Sequence, residues 1–273
     1  MAIFLFFQNV LDIKSIDCKI FFSRIVSGIF VLMLAITPFF VKAQEAFIAE
    51  QMKFDHVKTA VKEKSAEMEE LLKASDIEKE KLRILLIAYK DEKELLLYAK
   101  NKTDKKYRKL KTYSICESSG KPGPKREQGD LQVPEGFYQI NHFNPLSNYY
   151  LSLGINYPNT SDLKKTKAKD PGGAIYIHGN CVTIGCIPIT DEQIKELYIF
   201  AMNARAYGQK NIPVYIFPFK MTDENYTKFR IKFRNNTPLL SFWENIKTGY
   251  DKFISAMNEL KINFDKSGNY LFE

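Results

Sequence analysis

The sequence lacks an apolar run long enough for a comfortable transmembrane helix, which needs roughly 20 residues. Its prominent uncharged apolar stretch covers only 28–40, with Arg24 before it and the small residues of Val41-Lys42-Ala43 after it. This is the layout of a secretory signal. We therefore expect residues 1–43 to be a signal peptide, or alternatively an uncleaved N-terminal anchor, and the protein to be exported to the periplasm or cell envelope.

Cysteine is scarce, with four residues in the chain. Cys18 is expected to leave with the signal, so the exported part keeps an odd number of cysteines, which indicates at least one free thiol. Cys116 follows a strand-like stretch and is predicted to be a core residue. A Cys181–Cys186 disulfide and an inert, buried Cys186 both remain open alternatives. A zinc site built on these two cysteines and His178 is disfavoured, because no fourth ligand lies nearby.

Acidic residues are outnumbered, with 40 Lys and Arg against 32 Asp and Glu and a net charge of +8. Outside the cytoplasm, the anionic partners open to a basic protein are cell-wall polymers and lipid head groups. Nucleic acid is excluded as a partner if the export signal is used. The apolar fraction of 45% and the charged fraction of 26% are ordinary for a globular protein and argue against disorder and against several membrane spans.

The hydrophobic pattern divides the rest of the chain into three parts. Apolar residues recur at three and four from Phe47 to Leu72, which predicts an amphipathic helix in a helical N-terminal extension, 44–81. Strand-like sequence dominates the middle of the chain, and a helical pattern around 242–253 marks a helical tail. We expect an α+β fold, with a mostly antiparallel β core flanked by N- and C-terminal helices.

Local signals place elements within the middle of the chain. The apolar runs 83–89 and 94–99 flank a charged link and favour a hairpin over a helix pair. Strands are also predicted at 174–177 and 212–217. Between them, Thr190 with Gln193 three residues later forms a capping box that begins a helix.

The chemically informative run is His178 to Pro188 (HGNCVTIGCIP). A strand delivers an imidazole at its end, a glycine-bearing loop follows, and Gly185 then places the Cys186 thiol at the start of a helix-forming segment. A neighbouring imidazole and a positive helix end both lower the pKa of a thiol. Backbone N–H groups at Gly185 and Cys186 could hold an oxyanion. We therefore predict Cys186 as a nucleophile and His178 as its acid–base partner.

These residues resemble the catalytic motif of the L,D-transpeptidases, the YkuD-like family. Members carry a His-Gly pair followed by a Ser/Thr-His-Gly-Cys segment. His178-Gly179 matches the first element, and Thr183, Gly185 and Cys186 match three positions of the second. Two further segments are similar to the family or to its YafK-like branch: Gly129-Asp130 with Pro134 to Tyr138, and 148–158 (NYYLSLGINYP).

Two positions depart from the family motif. Ile184 stands where most members have histidine, and Pro188 stands where they usually have arginine. Because of these losses, a wall-binding module without catalysis is one alternative function. An amidase or carboxypeptidase that cleaves stem-peptide or envelope-protein linkages is another.

The resemblance covers roughly 82–219, which it implies to be the catalytic domain, followed by a C-terminal helical extension at 220–273. It implies a cysteine transpeptidase that forms an acyl-enzyme with a peptidoglycan stem peptide. The acceptor would be an amine of a second stem peptide or of an envelope protein, and no metal or organic cofactor is required. The resemblance implies that Gly185, Thr183 and Gly179 support the loop and the oxyanion. It also suggests substrate-binding roles for three residues: Asp130, Tyr138 and Asn148. His142 is predicted to lie in a loop after the strand that ends near Ile140.

Overall fold

The computed structural model describes residues 46–273, so the predicted signal or anchor at 1–43 lies outside the described residues. Residues 48–273 form one unit. Helix α1, Asp55–Ala74, carries the predicted amphipathic pattern and buries Val57, Ala60, Met68 and Leu72. It is shorter than expected, because the helical stretch before it is interrupted at 52–54. Within the described part of the chain, no helix is long and apolar enough to cross a membrane.

The predicted hairpin is confirmed. Strand β1, Leu82–Tyr89, pairs antiparallel with β2, Glu94–Asn101, over its full length, and the turn between them carries Lys93 in the left-handed region at φ 53°. β1 is buried at nearly every position, so both of its faces are covered. A strand buried on both faces reads as a continuous apolar run instead of an alternating one.

Six more strands join β1 and β2 in one sheet: β3 (Arg108–Ser114), β4 (Gly136–Asn144), β5 (Ser152–Ile155), β6 (Tyr176–His178), β7 (Ile187–Pro188) and β8 (Ile212–Phe217). The order of the eight strands is β3-β2-β1-β8-β4-β5-β6-β7. Five of the seven pairings are antiparallel, and the two parallel ones join β1 to β8 and β6 to β7. The expected mostly antiparallel α+β fold is therefore confirmed.

The helices follow their sequence signals. A short helix α2, Thr160–Lys165, lies between β5 and β6, and α3, Asp191–Ala206, follows β7. The predicted capping box of α3 is confirmed. The Thr190 hydroxyl accepts the backbone N–H of Gln193, and the Gln193 side chain accepts the backbone N–H of Thr190. In the tail, α4 covers Asp223–Lys232 and α5 covers Thr237–Ala256, which confirms the predicted C-terminal helix. The chain ends in a small hairpin of β9 (Ile262–Phe264) and β10 (Tyr270–Phe272).

The sheet curls so that its two outer strands approach each other. Directly after β3, the N–H of Cys116 donates to the carbonyl of Pro188 in β7 at 3.1 Å. Cys116 also forms a disulfide with Cys181, with the two Cα atoms 5.5 Å apart. The prediction that Cys116 is a plain core residue is therefore wrong, because it is half-exposed and cross-linked. This closure sets the loop after β6 beside the end of β3.

Candidate active site

Cys186 is the free cysteine of the described residues and is half-buried. It stands directly before β7, which runs parallel to β6 with Ile187 opposite Ile177 and Pro188 opposite His178. Its thiol donates to the carbonyl of Ala174 at 3.7 Å. The expectation that the thiol begins a helix is wrong, because the chain after Cys186 first extends along β6 and α3 begins only at Asp191.

His178 ends β6, as the sequence predicts, although that strand begins at Tyr176 and not at Ala174. The residue is only 2% exposed, and its Nδ1 lies 2.6 Å from the carbonyl oxygen of Gly179. Because a carbonyl only accepts, Nδ1 must carry the proton, which leaves Nε2 of the neutral ring as a proton acceptor.

The strand register relates the backbone positions of Cys186 and His178. Cys186 lies two residues before Pro188, which is the β7 partner of His178. The two residues are thus offset by two positions along a parallel strand pair, and residues two apart along a strand lie on the same face. The pairing of the thiol with the imidazole stays a prediction.

Burial controls the protonation of both groups. It raises the pKa of the Cys186 thiol, against a smaller lowering by the Tyr176 N–H and by the charge of Lys125. It lowers the pKa of His178, against a smaller raising by the hydrogen bond to Gly179. The expected lowering of the thiol pKa is therefore not found. At neutral pH the unliganded site holds a neutral thiol near a neutral imidazole.

The Thr183 side chain forms hydrogen bonds with the backbone around the Cys186 thiol. Its hydroxyl accepts the N–H of Gly185 at 3.2 Å and the N–H of Cys186 at 2.8 Å. Gly185 has φ 132°, and a Cβ there would come within 3.0 Å of the Gln132 carbonyl oxygen, so this position requires glycine. In this state neither N–H is free for an oxyanion, and their predicted role requires Thr183 to turn away.

The loop between His178 and Cys186 is held at two further points. Cys181 forms its disulfide with Cys116 and not with Cys186, so that open alternative is wrong. At Gly179, a Cβ would come within 2.5 Å of an Asp191 carboxylate oxygen and 2.8 Å of the Tyr149 carbonyl, so only glycine fits. In the described part of the chain, no group of three His, Cys, Asp or Glu side chains could hold a metal ion.

Of the other predicted site residues, Asp130 and Tyr138 form hydrogen bonds within the protein. The Asp130 carboxylate accepts backbone N–H groups of the loop 126–132 and the ammonium of Lys125 at 2.6 Å. Tyr138 is 4% exposed, and its hydroxyl lies 3.0 Å from the Asp162 carboxylate. Asn148 is exposed in the turn before β5. Their substrate-binding roles stay predictions.

The chain has two histidines besides His178. His142 is predicted in a loop but lies within β4, paired with Gly154 of β5, so that prediction is wrong. The strand continues past Ile140 to Asn144, with a register irregularity against β5 between Ile140 and His142. His56 is exposed on α1, in contact with Tyr150.

Two cavities bear on substrate access. The one beside Cys186 has a volume of about 10 Å³, enough for roughly one water. A larger groove of about 540 Å³ lies between β4, β8 and the C-terminal hairpin; it is lined by Tyr138 but not by Cys186 or His178. The small cavity is lined by Ala88, Lys90, Ile115, Glu117, Ser118, Val133, Cys186 and Ile187. A peptide must therefore approach the thiol from outside this cavity or displace its walls.

Sequence reasoning missed a buried ion pair at the wall of this cavity. The Lys90 ammonium lies 2.8 Å from the fully buried carboxylate of Glu135 and donates to the Gly123 and Val133 carbonyls at 2.9 Å. The indole N–H of Trp243, on α5, donates to the second Glu135 oxygen at 2.9 Å. No sequence signal marks such a pair, because its members are far apart in the chain.

Part of the chain matches a known family. Residues 83–216 match the family model described as YkuD, the L,D-transpeptidase catalytic domain. YafK from Escherichia coli K12 and from Escherichia coli O157:H7, whose names place them provisionally among the L,D-transpeptidases, are each 41% identical over 167 residues. That match covers 60% of this chain and 64% of each relative, so it spans less than two thirds of their length.

Two solved structures are similar at lower identity. The helical cell shape determining protein Pgp2 from Campylobacter jejuni is 22% identical, with a TM-score of 0.41 over 67% of this chain and 73% of that one. Bd1075 from Bdellovibrio bacteriovorus is 18% identical, with a TM-score of 0.36 over 67% of this chain and 75% of that one.

Proposed function

The chain belongs to the YkuD family of L,D-transpeptidase catalytic domains through residues 83–216, and from this premise we propose an exported enzyme that transfers acyl groups of peptidoglycan stem peptides. Cys186 is the nucleophile and His178 the acid–base residue. The observation that carries the proposal is the position of the free thiol against the strand that ends at His178. The tautomer of His178 supports it, because Nε2 is left to accept a proton.

The reaction begins with the neutral pair. As Sγ of Cys186 attacks the carbonyl carbon between the diamino acid and the terminal D-alanine, its proton passes to Nε2 of His178. The carbon–nitrogen bond of the tetrahedral intermediate then breaks, and His178 returns the proton to the leaving amine. An amine of a second stem peptide or of an envelope protein then attacks the thioester carbon and gives up a proton to His178. The carbon–sulfur bond breaks, the new amide leaves, and His178 returns the proton to Sγ of Cys186.

Burial keeps both the thiol and the imidazole neutral before the substrate reacts. A buried thiol and a buried imidazole both favour their neutral forms, so charge develops only as the substrate reacts. Stabilisation of the oxyanion needs donors near the carbonyl. The Gly185 and Cys186 N–H groups converge on Thr183 in the unliganded site, and rotation of that side chain would release them together.

Product analysis tests the proposal and separates it from its alternatives. Purified stem tetrapeptide is incubated with the wild-type protein and with Cys186→Ala, with and without an amine acceptor, and the products are identified by mass spectrometry. A heavier conjugate that needs both the thiol and the amine supports transfer. A shortened peptide alone indicates the amidase or carboxypeptidase, and identical mixtures from both proteins would reject the enzyme in favour of a wall-binding module.

A further inference from the structure

An aromatic ring covers the buried imidazole. The rings of Tyr149 and His178 are stacked, with their centroids 4.5 Å apart and their planes 29° from parallel. His178 is 2% exposed, whereas Tyr149 is 42% exposed. Tyr149 therefore lies on the solvent side of the imidazole. No hydrogen bond among the described residues uses the Tyr149 hydroxyl; its backbone N–H donates to the Ser147 hydroxyl at 3.1 Å.

The turn that carries Tyr149 has an unusual backbone. The next residue, Tyr150, has φ 69°, in the left-handed region that non-glycine residues seldom adopt. Such a conformation is strained and persists where surrounding contacts stabilise it. The orientation of Tyr149 over His178 therefore depends on what holds Tyr150.

Contacts from two helices hold Tyr150. The ring of His56, on α1, stacks on the Tyr150 ring with centroids 4.3 Å apart and an interplanar angle of 22°. His56 Nδ1 lies 2.7 Å from the Tyr150 carbonyl oxygen, which it can reach only as a donor. The Lys195 ammonium, on α3, lies 5.4 Å from the centre of the same ring. The N-terminal helix is thus connected to the turn beside the imidazole.

We propose that Tyr149 is a positioning residue that fixes the plane of the His178 imidazole, and that His56 acts through Tyr150 to hold Tyr149 in place. The hydrogen bond to Gly179 restrains one edge of the imidazole, and stacking against Tyr149 restrains its face. Together, the hydrogen bond and the stacking fix the direction in which Nε2 points. This assignment rests on the proposed function, in which Nε2 takes the thiol proton, and it gives α1 a role in the chemistry.

Three substitutions separate stacking from other effects. Tyr149→Phe keeps the ring and removes only the hydroxyl. Tyr149→Ala removes the ring and exposes the imidazole. His56→Ala, at an exposed position on α1, removes both contacts to Tyr150 and serves as a second variant should Tyr149→Ala unfold. Leu146→Ala is the matched control, because Leu146 lies in the same connection between β4 and β5 and is 74% exposed.

The first measurement does not depend on activity. The full chain has only three histidines, so the ring signals in ¹H–¹⁵N spectra are assigned by substituting His56 and His142 in turn. In Tyr149→Ala we expect the His178 titration midpoint to rise towards the ordinary histidine value, because water regains one face of the ring. Tyr149→Phe and Leu146→Ala should titrate as the wild type, and His56→Ala should show an intermediate midpoint. An unchanged midpoint in both Tyr149→Ala and His56→Ala would overturn the proposal.

The second measurement is acyl transfer. Misplaced catalytic groups cost large factors in rate, and we expect kcat to fall roughly tenfold or more in Tyr149→Ala with KM changed little. Tyr149→Phe should stay within about twofold of wild type, since stacking is kept. A rise in KM with kcat unchanged would overturn the positioning role. If the wild type itself transfers nothing, the proposed function fails, while the histidine titration still decides whether Tyr149 orients the ring.

Discussion

Thr183 and Cys186 are joined by a reciprocal pair of hydrogen bonds. The Thr183 hydroxyl accepts the Cys186 N–H at 2.8 Å and donates to the Cys186 carbonyl at 2.9 Å. A single side chain thus fixes both backbone groups of the proposed nucleophile, in a loop that has little regular structure of its own.

Thr183→Val should therefore damage the site more than Thr183→Ser. Valine keeps the shape of threonine but leaves two N–H groups without an acceptor, which costs about 1–3 kcal/mol for a buried group. Serine keeps the hydroxyl. We expect a lower thermal unfolding midpoint and roughly tenfold slower acyl transfer for Thr183→Val only. Equal behaviour of the two variants in calorimetry and in the transfer assay would contradict this role.

The disulfide should make a large contribution to stability. It joins Cys116 and Cys181 across 65 residues, and closing a loop of that length is worth roughly 4 kcal/mol in the chain-entropy account. Cys116→Ser with Cys181→Ser should lower the free energy of unfolding by about that amount in a urea titration.

A reductant provides the matching control for the disulfide. Reductant should destabilise the wild type towards the level of the double variant and leave the double variant unchanged. If the wild type unfolds at the same urea concentration with and without a reductant that has opened the disulfide, the cross-link does not stabilise the fold.

The pH dependence of Cys186 alkylation should reflect its burial. Because burial raises the pKa of this thiol, the thiolate forms above the ordinary cysteine range, and the iodoacetamide rate should reach half its maximum above about pH 8.5. The rate is followed on the Cys186 peptide by mass spectrometry. The same peptide in urea provides the reference and should react at lower pH. A midpoint at or below about pH 7 in the folded protein would instead indicate a preformed thiolate–imidazolium pair.

The Glu135 carboxylate connects the C-terminal helix α5 to the cavity wall beside Cys186. Glu135→Gln removes the charge that Lys90 faces, and breaking a buried ion pair on one side costs about 3–5 kcal/mol. Glu94→Gln is the control, because its bond to Lys220 is partly exposed and is worth at most about 1 kcal/mol. Similar unfolding midpoints for the two variants would show that the Lys90–Glu135 pair is not important for stability.

Local signals were sufficient for much of the fold. The hairpin of β1 and β2, the cap of α3 at Thr190 and the amphipathic helix α5 each follow from patterns a few residues long. The sequence predicts a His178–Cys186 pair because only a short loop separates the two residues. Strand β7 is missed, since nothing local shows that Ile187 and Pro188 extend along β6 before α3 begins.

What the sequence could not predict depends on contacts between distant segments. Cys116 meets Cys181 only because the sheet curls until β3 approaches β7. Tyr149 covers His178 because β5, which follows its turn, pairs with β6. The raised thiol pKa has the same origin, since burial of Cys186 is set by the assembled strands and not by its neighbours in sequence.

Trapping the acyl-enzyme tests the central assignment most directly. Wild-type protein mixed with stem tetrapeptide in the absence of an amine acceptor is quenched in acid, and the adduct is located by peptide mass spectrometry. The account predicts an added mass equal to that of the tetrapeptide minus one molecule of free D-alanine, on the peptide that contains Cys186, with no adduct in Cys186→Ala. An adduct on any other residue, or turnover by Cys186→Ala at the wild-type rate, would contradict it.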